Sequence, residues 1–152
     1  MTNSEKITDI LRHIKRVESN CDLLASHFIE TDLEFALGLI VRGREHDLSK
    51  FGPYQFQHLW KESPRFNVAL GLHRKKESHH PESHICIQDM TDLDIAEMVC
   101  DCLARAQEFG TDINDWFFKD EYAPTKYDYK GDEVTIARIK KYVDLLLKKK
   151  FE

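Results

Sequence analysis

Several familiar sources of function are missing from this sequence. No apolar run approaches the roughly 20 residues that cross a bilayer, so a membrane-spanning role is not expected. There is no GxxxxGK[ST] loop to cradle phosphates, no GxSxG elbow to expose a serine, and no Cys/His protease signature. Cysteine is sparse. Cys21, Cys86, Cys100 and Cys102 form no CxxC pair, and Cys100 and Cys102 lie two apart on a helical stretch, facing different sides. Buried free thiols are therefore expected, rather than a disulfide or a zinc site. Positive charge is also in deficit, with 22 Lys and Arg against 27 Asp and Glu and a net charge of -5. A protein that coats nucleic acid carries the opposite balance, so nucleic acid is an unlikely partner. A small nucleotide stays open, because a bound divalent metal adds local positive charge that the sum omits. The first residues, MTNSEKITDILRHIKR, are polar and amphipathic with no signal-peptide core, which points to the cytoplasm. No repeat, low-complexity segment or linker divides the 152 residues, so one domain over 1–152 is expected, its oligomeric state unspecified.

What is abundant is helical periodicity. Residues 5–28 place Ile7, Ile10, Leu11, Ile14, Val17, Cys21, Leu24 and Phe28 on one stripe. Thr31 and Glu34 have the spacing of a capping box for a second helix through Phe35, Ala36, Leu39, Ile40 and Gly43 to His46-Asp47, ended by Phe51-Gly52-Pro53. A short helix is predicted over 53–61. Ser63-Pro64 reads as N-cap and first residue of another helix, running to Lys76 with His73 in its last turn. His79-His80-Pro81-Glu82 falls in the following loop. Thr91-x-x-Asp94 caps a helix over 92–109, closed by Gly110. Trp116-Phe117-Phe118 belongs to a short helix, 122–131 to a loop, and 132–149 to a last helix packing Val134, Ile136, Ile139, Val143, Leu146 and Leu147. The expected fold is all-α, a compact bundle of about five or six main helices.

Within this frame the run HDLSKF stands out. At 100° per residue, His46 and Asp47 straddle the face bearing Ala36, Leu39 and Gly43, so both are expected to point inward. Burying a carboxylate is costly unless a cation or donors compensate. A metal is one such cation: imidazole suits Mn, Fe, Co, Ni or Zn, and a carboxylate can bridge two ions. An isolated His-Asp pair would more often be a helix-end histidine beside a solvated aspartate. Here Lys50 lies one turn on, His79-His80 is an uncommon doublet, and His13 flanks the first apolar stripe.

The order His13, His46-Asp47, Asp101 resembles the H…HD…D pattern of the HD-domain metal-dependent phosphohydrolase superfamily. His73 and His79-His80 look like the extra ligands of its two-metal branches. HD-GYP phosphodiesterases carry HDxGK, then a His, then HHE. This chain has HDLSK, His73 and HHPE, most similar to small HD-like proteins of bacteria and phages with HDxSKF and HHPE signatures. The GYP motif is absent, so cyclic di-GMP is not implied, and the interval from His73 to His79 is shorter than in HD-GYP proteins. The resemblance covers about residues 10–105 and implies one or two divalent transition metals. His13, His46, Asp47 and Asp101 would hold the first. Asp47 would bridge to a second on His73 and His80, with His79 a ligand or a donor behind one. Lys50 would contact a substrate phosphate, and a metal-bound hydroxide would attack phosphorus. Asp101 shares a stripe with Asp94 and Glu97 that is also readable as a wet face, and Glu97 is its substitute.

Arg74 is a candidate for substrate binding, and Arg42, Arg44, Lys75 and Lys76 can serve further phosphates or simply form a solvated face. Trp60, Trp116, Phe117 and Tyr122 are candidates for stacking on a base, with core packing the commoner role. His27, His58 and His84 lie outside the pattern. Lys148-Lys149-Lys150 complements a helix C-terminus. These readings favour hydrolysis of a nucleotide or related small phosphate ester. Two rivals share the ligand set: a di-iron oxygenase, and a metal- or nucleotide-binding regulator without turnover.

Overall fold

The structure, a computed structural model, describes residues 1–148. They form an all-α fold with no strand among the described residues. The helices are α1 (Asn3–Ser26), α2 (Leu33–Glu45), α3 (Pro53–His58), α4 (Phe66–Lys76), α5 (Asp92–Phe109), α6 (Ile113–Phe118), α7 (Ala123–Lys126) and α8 (Glu133–Leu147), with 3-10 turns at Leu48–Phe51, Pro81–Ser83 and Ile87–Asp89. Five of them, α1, α2, α4, α5 and α8, are long enough to carry the bundle. None is long and apolar enough to cross a membrane.

α5 is the central helix. Ile95, Ala96, Val99, Cys100 and Ala104 are fully buried between α1, α2 and α8. α1 contributes Val17, Cys21 and Leu24, α2 contributes Leu39, and α8 contributes Ile139 and Val143. Each such aliphatic side chain stabilises the fold by about 1.5–3 kcal/mol relative to exposure. α1 and α2 approach closely at Gly43, where an added Cβ would lie 2.8 Å from Cys21 Cβ and 3.3 Å from Glu18 Cα. Glycine is needed there to let the two backbones approach.

The ends of α5 follow the sequence signals. Thr91 and Asp94 form a capping box, and Gly110 closes the helix in the left-handed region at φ 66°. Other boundaries differ. α1 begins two residues earlier than expected, because Thr2 and Glu5 form their own capping box. The cap of α2 is Asp32, whose side chain accepts from the Phe35 N–H, while Thr31 is held in the turn from Phe28. α2 stops at Glu45, before the His-Asp pair. α4 begins at Phe66 rather than Pro64, because Ser63 accepts from the Arg65 N–H and forms a turn instead. The stretch 122–131 contains α7 and the buried Tyr129. Ile7 and Leu11 on α1, and Val134 and Leu147 on α8, lie on outward edges and are exposed. Cys21 and Cys100 are buried as expected and Cys102 partly so, but Cys86 is exposed. Lys149 and Lys150 of the basic tail lie outside the described residues.

Candidate metal centre

Five segments converge on one buried point. α1 brings His13, the break after α2 brings His46 and Asp47, the last turn of α4 brings His73, the loop before Pro81–Ser83 brings His79 and His80, and α5 brings Asp101. The helical extrapolation for His46-Asp47 is corrected here. His46 leaves the helix with φ -53° and ψ 126°, and Asp47 adopts the left-handed conformation at φ 56° and ψ 17°. Aspartate tolerates that region better than most side chains. The reversal turns Asp47 into the protein, where it is 2% exposed. The next residues form a 3-10 turn, tied to the end of α4 by a hydrogen bond from Ser49 to Glu77.

The two Asp47 oxygens face different histidines. Oδ2 lies 3.2 Å from His46 Nε2 and 3.9 Å from His13 Nε2. Oδ1 lies 3.4 Å from His73 Nε2 and 3.5 Å from His79 Nε2. Asp101 divides in the same way. Its Oδ1 is 2.8 Å from His13 Nε2 and 3.6 Å from His46 Nε2, and its Oδ2 is 3.4 Å from His79 Nε2. His80 Nε2 is 3.2 Å from His73 Nε2. All seven residues named from the sequence are thus brought together. They form overlapping groups, each with ligand atoms within 4.8 Å of one another: Asp47 with His73, His79 and His80; His13 with His46 and Asp47; His46 with His79 and Asp101.

These atoms fit divalent cations better than one another. His46 Nε2, His79 Nε2 and Asp47 Oδ1 are buried without a hydrogen-bond partner among the described residues. Their neighbours are near but not aligned as donor and acceptor. Two ligands each about 2.1 Å from one tetrahedral ion lie about 3.4 Å apart, the spacing seen here. The outer ring nitrogens are backed by carboxylates. His46 Nδ1 donates to Glu97 Oε2 at 2.8 Å, His79 Nδ1 is 2.9 Å from the same oxygen, and His13 Nδ1 is 2.7 Å from Glu108 Oε1. A carboxylate behind a histidine fixes its tautomer and leaves the inner nitrogen free for a metal.

Electrostatics give the same picture. Burial works to raise the Asp47 carboxyl, but the charges of His46 and Lys50 outweigh it and hold it well below the usual range. Asp101 is likewise held down against burial by the charge of His46 and by its hydrogen bond from His13, with His79 close by. Glu97 falls to about 2, burial being overcome by its bonds to His46 and His79. Burial lowers the histidines in turn. His73 goes to about 4 and His80 to about 3, whereas the neighbouring Asp101 and Glu97 carboxylates take His79 up to about 9. His46 is raised well above its ordinary value because Asp47 and Asp101 outweigh its burial. Without metal, protons on His46 and His79 balance the buried carboxylates.

The centre forms part of the wall of a cavity of about 590 Å³. Lys50 and Arg74 line it, as do Trp60 and Trp116. Lys50 Nζ is 2.8 Å from Asp47 Oδ2, and Arg74 Nε is 3.7 Å from Glu82. The other proposed phosphate contacts are not placed there. Arg42 is occupied by Asp94, Glu97 and Ser78, Arg44 pairs with Glu18 and Asp22, and Lys75 and Lys76 face solvent. Phe117 is buried in the core, and Tyr122 is exposed away from the cavity lining. His27 and His58 stay outside the cluster, and His84 binds the Ser78 carbonyl.

Sequence reasoning missed Glu108 and misjudged Glu97. Asp94, Glu97, Asp101 and Glu108 lie within about 60° of one another on a helical wheel, on a helix whose buried residues are otherwise apolar. That acidic stripe was the available signal. Asp94, Glu97 and Asp101 are buried, so the stripe is not a wet face.

No curated protein and no solved structure matches this chain. The profile described as "Family of unknown function (DUF5662)" matches residues 2–144, nearly the whole of the described chain, and the protein belongs to that family.

Proposed function

We propose that the protein is a cytoplasmic metal-dependent phosphohydrolase of HD-domain type, acting on a nucleotide or related small phosphate ester with two divalent transition metals. One observation carries this reading: the two oxygens of Asp47 face separate histidine sets, as a carboxylate shared by two ions requires. His13, His46 and Asp101 would complete one position, and His73, His79 and His80 the other. Bound there, the ions would supply positive charge to a phosphoryl group and acidify a coordinated water.

The chain's own residues support the rest. Lys50 and Arg74 place cationic donors on the cavity wall, suited to phosphoryl oxygens. Trp60 and Trp116 give the same cavity flat apolar surface for the organic part of an ester. Glu97 and Glu108 hold the imidazoles in one orientation, so little rearrangement is needed when an ion or substrate arrives.

The test is ester cleavage by protein loaded separately with Mn, Fe, Co, Ni or Zn, read as phosphate release from monoesters, including nucleotides, and as appearance of the monoester product from diesters. Turnover with at least one metal, absent in Asp47→Ala, is expected. Protein that holds two ions yet cleaves no ester contradicts the hydrolase reading. Oxygen uptake by the iron form would replace it with an oxygenase.

A further inference from the structure

One glutamate stands behind both halves of the centre. Glu97 is 4% exposed on α5, and its Oε2 is within 2.9 Å of two ring nitrogens, His46 Nδ1 and His79 Nδ1. His46 turns its other nitrogen to Asp47 Oδ2, and His79 turns its own to Asp47 Oδ1. Glu97 Oε1 is meanwhile held by Arg42 Nη1 at 3.2 Å, and that nitrogen is anchored on Asp94 at 2.8 Å and Ser78 at 3.0 Å. The carboxylate therefore has no freedom to turn away from either imidazole. Glu108, by contrast, backs His13 alone.

Resting on the two-metal reading above, we infer that Glu97 is a positioning residue for both ions at once, and that Arg42 fixes it in that role. With Nδ1–H given to Glu97, both His46 and His79 present an unprotonated Nε2 to the centre. The two positions then share one support. Loss of the Glu97 carboxylate weakens both ions together, and loss of Glu108 weakens only the ion bound by His13. Glutamine does not substitute. Its single carbonyl oxygen either leaves the imidazole donors facing an NH2 group, or places that NH2 against the Arg42 guanidinium.

The two stepwise affinities for cobalt(II), read from visible absorption and calorimetry, test this in the wild type, Glu97→Gln and Glu108→Gln. Removing a carboxylate behind a ligand weakens binding by about 10–100-fold. That loss is expected at both steps in Glu97→Gln and at one step in Glu108→Gln. Glu97→Asp keeps the charge beside Arg42 but draws the carboxylate back by one methylene, so it remains informative if Glu97→Gln fails to fold. It too is expected to weaken both steps. Far-UV circular dichroism of the metal-free variants checks folding. Weakening at only one step, as when His46 and His79 hold the same ion with Asp101, overturns the inference, and so do unchanged affinities. If wild-type protein takes up no cobalt, the metal centre itself fails, a result distinct from either.

Discussion

Asp47 and its histidines set the behaviour of the centre at the scale of single residues. In the metal-free protein His79 is raised to about 9, against an unfolded value of about 6.5. A base whose pKa rises on folding stabilises the fold below the unfolded value. That contribution is lost as pH climbs from about 6.5 to about 9. His46 acts in the same direction. His73 and His80, lowered to about 4 and about 3, act in the opposite one. The unfolded chain takes up protons that they refuse, so stability falls as pH drops from about 6.5 towards 4. Chelator-treated protein should therefore show its highest urea midpoint near pH 6.5, declining on both sides. Metal-saturated protein should lose the alkaline decline, because the ions replace the protons on His46 and His79. A metal-free midpoint that keeps rising to pH 9 would contradict the pairing of His79 with Asp101 and Glu97.

At the scale of elements, the centre depends on how closely α1 and α2 pack, since they deliver His13 and His46. Gly43 makes that approach possible. Gly43→Ala would push its Cβ to 2.8 Å from Cys21 Cβ and 3.3 Å from the Glu18 backbone. Overpacking of this kind costs about 1–3 kcal/mol, or a melting point lower by several degrees for a chain of this size, about 2–4 °C per kcal/mol. An unchanged melting temperature would mean that the contact relaxes without cost. The helices themselves were largely legible, because their signals are local. The capping box at Thr91 and the glycine at 110 bound α5 as expected. The end of α2 was not legible. Its helical pattern gives no stop signal before His46, where the backbone leaves the helix at ψ 126° and then turns left-handed at Asp47. The expected caps at Thr31 and Ser63 misled because similar polar residues and turns lie beside them: Asp32, one residue on, caps α2 through the Phe35 N–H, and Ser63 accepts from the Arg65 N–H in a turn ahead of α4.

For the whole molecule, the ligand residues were legible as types and order, but their division between the two oxygens of Asp47 was not. That division depends on five segments meeting, and no periodicity encodes it. The roles of Glu97 and Glu108 were hidden because a helix pattern shows which residues share a face, not what packs against that face. The same meeting of segments predicts that metal stabilises the entire fold. An ion that binds only the assembled site adds about 4 kcal/mol at a thousand times its dissociation constant. Added metal should raise the melting temperature of chelated wild type and leave Asp47→Ala unmoved. An equal shift in both proteins would indicate binding elsewhere.

The central claim, a centre of two ions sharing Asp47, is tested most directly by metal stoichiometry. Elemental mass spectrometry on protein made without an affinity tag, before and after incubation with Mn, Fe, Co, Ni and Zn, gives the count per chain. The account predicts two transition-metal ions in the saturated wild type and their loss in Asp47→Ala. A wild type that stays metal-free under every loading would contradict it, and the buried histidines would then have to be explained by their protons and hydrogen bonds alone.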